Sequence, residues 1–165
     1  RRAMWPSSEL SPEPEVRVLG ELHRQLLRLA LYLTPDSDER VARDALARRV
    51  TTLAHRVCPA NPLAQRYGSE ALGLAAFTSD IDMYIPVGAS RSIRAATLRW
   101  IGAALKQTTW ASRVDIREMA RVPIVNFTDR SSGLEVDISL GRCETTELVE
   151  ILRSDYTALE PLALI

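Results

Sequence analysis

The chain has 165 residues, of which 46% are hydrophobic and 25% are charged, a composition typical of one folded domain with an ordinary core. Its 21 basic and 21 acidic side chains cancel, which excludes a global basic field that would draw the chain to nucleic acid or to a membrane surface. No apolar stretch approaches the roughly 20 residues that span a bilayer, so we expect no membrane partner.

The cysteines and histidines are too few for a disulfide framework or a complete zinc site. The chain has only Cys58 and Cys143, with His23 and His55 as the histidines. His55 and Cys58 have the spacing of half a zinc site, but the other half is missing. No signal peptide is visible either, so we expect a reducing intracellular compartment, the cytoplasm or the nucleus.

The first elements in chain order are a flexible arm and two helices. Residues 1–14 contain three prolines among serines and glutamates, which predicts the arm. Apolar residues recur at helical spacing from Val16 to Leu33, which predicts the first helix. Thr34 as a cap and Pro35 in the first turn then predict a second helix that runs to about Val57.

A turn and a strand follow the second helix. The stretch "LAQRY" predicts a short strand that leads into Gly68. We expect a short helical turn from Glu70 and a second turn at Gly73. The stretch "DIDMYIPV" alternates apolar and polar residues, which predicts a strand with one buried face.

A third helix and three further strands complete the pattern. The helix has an apolar stripe formed by Ile93, Thr97, Trp100, Ile101, Ala104 and Leu105. We expect the strands on either side of this helix to be parallel or joined by a crossover. "VDIREMA", "VPIVNF" and "GLEVDISL" predict the three strands, with "TDRSSG" as a turn. A helix from about residue 144 to 156 follows, and the chain stops inside an apolar segment, so we expect a piece of a longer protein.

Carboxylates collect on the polar faces of two of these strands. Asp80 and Asp82 share one face, about 6.6 Å apart along the strand, and Glu135 and Asp137 share one face of "GLEVDISL". If the strands pair, a third carboxylate joins the first two, and the spacing fits Glu135 as well as Asp137. Repulsion on the order of 2–3 kcal/mol per pair would then favour a bound divalent cation. A solvated strand edge is the alternative.

The Gly68-Ser69 turn supplies the features of a phosphate site. Glycine lets a phosphate approach the backbone, serine adds a hydroxyl, and the helical turn that follows offers free N–H groups. An ordinary turn glycine is the alternative. With a pair of metal ions on the carboxylates, the combination indicates a bound triphosphate and nucleotidyl transfer.

Four motifs in this order resemble the polymerase-β-like nucleotidyltransferases, and within that superfamily the noncanonical poly(A) polymerases and terminal uridylyltransferases. They are Gly68-Ser69, Gly73-Leu74, Ser79-Asp80-Ile81-Asp82 and Val136-Asp137-Ile138-Ser139. "ARVPIVNF" resembles the strand before the third aspartate of that family, and the likeness covers roughly residues 19 to 165. It implies an α+β fold with a mixed, roughly five-stranded sheet backed by helices.

The resemblance also implies domains and residue roles. Residues 15–142 would form the catalytic domain with its N-terminal helices, and residues 143–165 would begin a truncated helical central domain. Asp80 and Asp82 would bind both catalytic metal ions, Mg²⁺ or Mn²⁺. Asp137 would bind the ion that activates the RNA 3′-hydroxyl. Gly68 and Ser69 would be nucleotide-binding residues that hold the β- and γ-phosphates.

The function implied is template-independent addition of A or U to RNA 3′ ends. The expected partners are a nucleoside triphosphate (ATP or UTP), an RNA 3′ end and the missing helical central domain, without which we expect this chain to be inactive. Two alternatives stay open, transfer of a nucleotide to a small molecule or a protein, and a non-catalytic scaffold of the same fold. The sequence leaves the base, the RNA, any protein partner and the oligomeric state undetermined.

Overall fold

The computed structural model describes residues 14–58, 62–87 and 90–141. Residues 1–13 of the expected arm and the expected start of a helical domain at residues 143–165 lie outside this range. The described elements, in chain order, are α1 (Pro14–Leu33), α2 (Ser37–Val57), β1 (Gln65–Arg66), α3 (Gly68–Leu72), β2 (Ile81–Ile85), α4 (Arg91–Lys106), β3 (Ala111–Arg117), β4 (Ile124–Asp129) and β5 (Glu135–Leu140).

The five strands form one mixed sheet in the order β1-β2-β5-β4-β3. β2 and β5 are parallel, and the other neighbouring pairs are antiparallel. Because β2 and β3 are not neighbours, α4 is a crossover connection between them, as the sequence predicted. The predicted α+β fold with a mixed five-stranded sheet is confirmed.

Helices α2 and α4 cover one face of the sheet. Side chains at alternate strand positions point toward them and are fully buried, since a strand sends successive side chains to opposite faces. The residues of this core are, from α2, Leu46, Val50 and Ala54, from α4, Leu98, Ile101 and Leu105, and from the strands, Ile81, Met83, Ile85, Val125, Phe127, Val136 and Ile138. The polar strand positions therefore lie on the opposite face. No described helix is long and apolar enough to cross a membrane.

The start of α2 differs from the prediction. Asp36, and not Thr34, is the N-cap, because its carboxylate accepts a hydrogen bond from the Glu39 backbone N–H at 2.8 Å. The Glu39 carboxylate accepts one from the Asp36 N–H at 2.9 Å, which completes a capping box. The Thr34 hydroxyl donates to the Ala30 carbonyl at 2.8 Å and so closes the end of α1.

The buried face of α4 and the start of β3 also differ from the prediction. Ile93 and Trp100 were expected in the buried stripe of α4 but are 52% and 47% exposed, because the helix packs through Leu98, Ile101 and Leu105. β3 begins three residues before the predicted "VDIREMA", at Ala111. A register shift between Ser112 and Asp115 interrupts the strand pairing there, so the alternation of apolar and polar residues did not reveal the first three residues of β3.

The turn between β4 and β5 is organised around a buried carboxylate. Asp129 is 0% exposed and accepts hydrogen bonds from the Ser131 hydroxyl at 2.5 Å and from the Ser132 N–H at 2.9 Å and hydroxyl at 2.8 Å. It also pairs with Arg49 at 3.2 Å. Burial raises the pKa of Asp129, but these hydrogen bonds and Arg49 outweigh it and hold the pKa below its usual value.

Candidate active site

The parallel pair β2–β5 brings Asp82 and Asp137 together. The two residues are direct partners in the strand register, and neighbouring strands lie about 4.8 Å apart. Both side chains are partly buried and lie on the face of the sheet opposite α2 and α4. The strands that the sequence analysis paired only conditionally are therefore paired, with two of the predicted carboxylates side by side.

Asp80 lies just before this pair. β2 begins at Ile81, one residue after Asp80, so Asp80 is an exposed residue that leads into the strand and not part of it. Its pKa is raised by desolvation and by the negative charges of Glu135 and Asp137, while Arg43 opposes the shift. Glu135 and Asp137 therefore both act on the site, with Asp137 level with Asp82 and Glu135 two residues earlier, at the start of β5.

Asp82 is the centre of the acidic cluster. Its pKa is raised by burial and then by the charges of Asp137, Asp80 and Glu70. Asp137 is held by a neutral group, the Asn126 side-chain amide, which donates to Asp137 Oδ1 at 2.6 Å. The hydrogen bond orients Asp137 without neutralising it, so the negative charge stays concentrated. Asn126 lies opposite Asp137 on β4 and was not among the site residues predicted from the sequence.

The Gly68 loop packs directly on Asp82. Gly68 has a φ of +63°, and a Cβ at this position would lie 2.8 Å from Asp82 Oδ2. The Tyr67 N–H donates to the Asp82 carbonyl at 3.0 Å, which joins the loop to β2. α3 begins at Gly68 and not at Glu70 as predicted, and Gly73 ends it at a φ of +70°. The second predicted turn is thus confirmed, and Ser69 lies in the first turn of α3.

The donor set fits a divalent cation that a substrate helps to bind. In the part of the chain that the structure describes, no three His, Cys, Asp or Glu side chains are already arranged to hold a metal ion. Mg²⁺, however, usually takes one or two carboxylates together with waters and substrate phosphates. Burial raises the pKa values of Asp80 and Asp82, the neighbouring carboxylates raise them further, and such a cation would relieve this repulsion.

Comparison with known proteins gives the family. Residues 22–154 match the family model described as "Poly(A) RNA polymerase, mitochondrial-like, central palm domain". Poly(A) RNA polymerase cid14 of Schizosaccharomyces pombe is 30% identical over 148 residues, which are 87% of this chain and 21% of that protein. Poly(A) RNA polymerase protein 2 of Saccharomyces cerevisiae is 26% identical over 137 residues, 81% of this chain and 23% of that protein. The chain thus spans less than a quarter of these curated relatives.

Solved structures show the same fold. The polymerase core of TRAMP, an RNA surveillance complex, superposes with a TM-score of 0.75 at 23% identity, over 84% of this chain and 44% of that one. A crystal structure of mtPAP in complex with ATPγS gives a TM-score of 0.75 at 19% identity, over 98% of this chain and 39% of that one. The resemblance to the noncanonical poly(A) polymerases is confirmed by the family match. The chain belongs to the family of central palm domains of mitochondrial-like poly(A) RNA polymerases.

Proposed function

We propose that the protein containing this chain is a template-independent RNA nucleotidyltransferase that adds A or U to RNA 3′ ends. Membership of a poly(A) polymerase palm family supports nucleotidyl transfer to RNA. The observation that carries the proposal is the pairing of Asp82 with Asp137 across β2 and β5, with Gly68 packed against Asp82. An acidic pair beside a tight glycine loop suits a bound triphosphate with its cations.

The proposed roles follow the sequence prediction. Asp80 and Asp82 would hold both of two metal ions, Mg²⁺ or Mn²⁺, and Asp137 would hold the one that serves the RNA 3′-hydroxyl. When bound, the ions supply Lewis-acid stabilisation of charge on the attacking and leaving oxygens. Gly68 and Ser69 bind the β- and γ-phosphates. Asn126 keeps one oxygen of Asp137 engaged, so that the other is directed to its ligand.

The rest of the cleft belongs to the helical central domain that we place after this chain. Several apolar side chains of α1 are exposed in the described residues, among them Leu19 at 63% and Leu31 at 75%, and such a domain would cover part of them. Structures of mtPAP are described with ATPγS, GTP, CTP and UTP, so similarity to that protein does not select a base. We expect residues 1–165 alone to be inactive.

The direct test is RNA extension by the full-length protein. Labelled RNA is incubated with Mg²⁺ or Mn²⁺ and with each nucleoside triphosphate in turn, and Asp82→Asn combined with Asp137→Asn is the control. We expect extension with ATP or UTP that the double variant abolishes. No extension with any of the four nucleotides overturns the proposal. Pyrophosphate release without RNA extension would indicate a small-molecule or protein acceptor, and triphosphate binding without release would indicate a scaffold.

A further inference from the structure

Arg43 is a buried cation in α2 that contacts two segments of the candidate site. It is 1% exposed. Its Nη1 donates to Glu70 Oε2 at 3.1 Å. Its Nη2 lies in hydrogen-bonding range of three backbone carbonyls, those of Ala76 at 3.3 Å, Phe77 at 2.9 Å and Ser79 at 2.8 Å. One guanidinium therefore engages four acceptors from two different parts of the chain.

These two parts are the glycine loop and the approach to the aspartates. Glu70 lies in α3, which begins at Gly68, and the three carbonyls belong to the loop that leads directly into Asp80. We propose that Arg43 is a positioning residue that fixes α3 and the loop of residues 76–79 in one relative arrangement. The inference rests on the proposed function for the roles of Gly68 and Asp80, but the contacts of Arg43 do not depend on it.

Glu70 and the loop that accept the hydrogen bonds of Arg43 have further contacts of their own. Arg66 Nη1 lies 3.4 Å from Glu70 Oε1, so each oxygen of Glu70 faces a different arginine. Arg66 Nη2 also pairs with Asp44 of α2 at 2.5 Å. In the loop, the Ser79 hydroxyl accepts a hydrogen bond from the Ala76 N–H at 2.9 Å. Both segments thus have local contacts of their own, and Arg43 donates hydrogen bonds to both of them.

The placement of α3 and the loop of residues 76–79, and not stability alone, explains why a charged residue occupies the buried position 43. A buried ion pair is weak evidence for stability, because apolar residues of similar volume often replace it without loss. Arg43 Nε has no hydrogen-bond partner in the described structure, and an unpaired buried donor is unfavourable. The planar fork of an arginine can reach four acceptors at once, whereas the single ammonium of a lysine has three donors on a shorter stem.

The first test uses hydrogen exchange of the full-length protein without metal or nucleotide. In Arg43→Lys we expect amides of residues 68–74 and 76–80 to exchange about tenfold faster, with those of β4 and β5 unchanged. Glu70→Ala removes the acceptor of Arg43 Nη1 and should speed exchange in residues 68–74 only. Arg40→Lys is the matched control, because Arg40 is an exposed arginine of the same helix that donates to the Pro35 carbonyl at 2.9 Å.

The second test separates positioning from folding in the extension assay. We expect Arg43→Lys to raise the KM for the triphosphate about tenfold while the KM for RNA stays at the wild-type value, since small misplacements of binding groups have effects of that size or more. A uniform rise in exchange over the whole domain, or an unchanged KM with kcat reduced in proportion to the folded fraction, overturns the inference. If the wild-type protein extends no RNA, the proposed function fails while the exchange pattern still decides the role of Arg43.

Discussion

Replacing Gly68 by alanine tests whether the site depends on the close packing of the loop on Asp82. Gly68 has a φ of +63°, and an added Cβ would lie 2.8 Å from Asp82 Oδ2, which is closer than a carbon and an oxygen normally approach. Gly133, in the turn between β4 and β5, supplies the control. It has a similar φ of +74°, but an added Cβ would meet nothing within 4 Å.

The two substitutions share one energetic term and differ in another. A non-glycine residue in the left-handed region costs about 1–2 kcal/mol, so both variants should lose about that much free energy of unfolding. Only Gly68→Ala also requires the Asp82 carboxylate to move. Because a displacement approaching 1 Å at a reacting centre can cost up to about 10²-fold in rate, we expect Gly68→Ala to lower kcat/KM for the triphosphate at least about tenfold.

The assay compares both variants of the full-length protein in urea denaturation and in RNA extension at varied triphosphate concentration. The expected result is destabilisation of both variants, at least as large in Gly68→Ala, and a loss of activity in Gly68→Ala alone, with Gly133→Ala at the wild-type kcat/KM. If Gly68→Ala matches Gly133→Ala in both measurements, contact between this loop and Asp82 does not matter for the reaction. If Gly133→Ala is equally inactive, lost stability and not the contact explains the effect.

Three further substitutions address the charges. Because the folded protein raises the pKa of Asp82 above its usual 3.8, ionised Asp82 weakens the metal-free fold as pH rises through the raised pKa. Asp82→Asn in EDTA should therefore melt at or above the wild-type temperature at neutral pH and lose this advantage below about pH 3.8. Mn²⁺ should raise the melting temperature of the wild type only. Asn126→Ala should leave the circular dichroism spectrum unchanged and lower kcat about 10-fold or more, since it removes a hydrogen bond to the charged Asp137. Asp129→Asn should lower the urea-derived free energy of unfolding by about 2–3 kcal/mol at neutral pH and less in acid, because the stability from a lowered pKa is lost as pH falls through that pKa.

The elements and the faces of the acidic side chains were predictable because their signals are local. The alternation around Asp82 and Asp137 fixes the face of each side chain, whereas the mixed sheet and the choice of Asp137 over Glu135 followed from the family resemblance. The sequence also contains the signal for the α2 cap, since Asp36 precedes Glu39 by three residues, the spacing of a capping box. Thr34 and Pro35 offered a competing start, because threonine can cap a helix and proline suits its first turn.

The roles of Arg43 and Asn126 could not be predicted from the sequence, because they depend on contacts between distant segments. Arg43 is one of five arginines in α2, and its partners lie 27 to 36 residues away along the chain. A signal did exist, since Arg43 falls on the same helical stripe as the buried Leu46 and Val50, where a charge needs a partner. For Asn126, the alternation gives the face, but only the register across the β4–β5 turn places it opposite Asp137.

The parallel pair β2–β5 explains why the site is both well placed and electrostatically unfavourable. Parallel strands start at the same edge, so Asp82 of β2 lies level with Asp137 of β5, and Asp80 and Glu135 lie at the starts of the same two strands, Asp80 just before β2. Burial raises the pKa values of Asp80 and Asp82, and the repulsion between the carboxylates raises them further. The core beneath them, formed by side chains such as Ile81, keeps the strands paired despite it. Under the proposed function, a cation that arrives with the triphosphate relieves this repulsion, so substrate binding and stability of the site rise together.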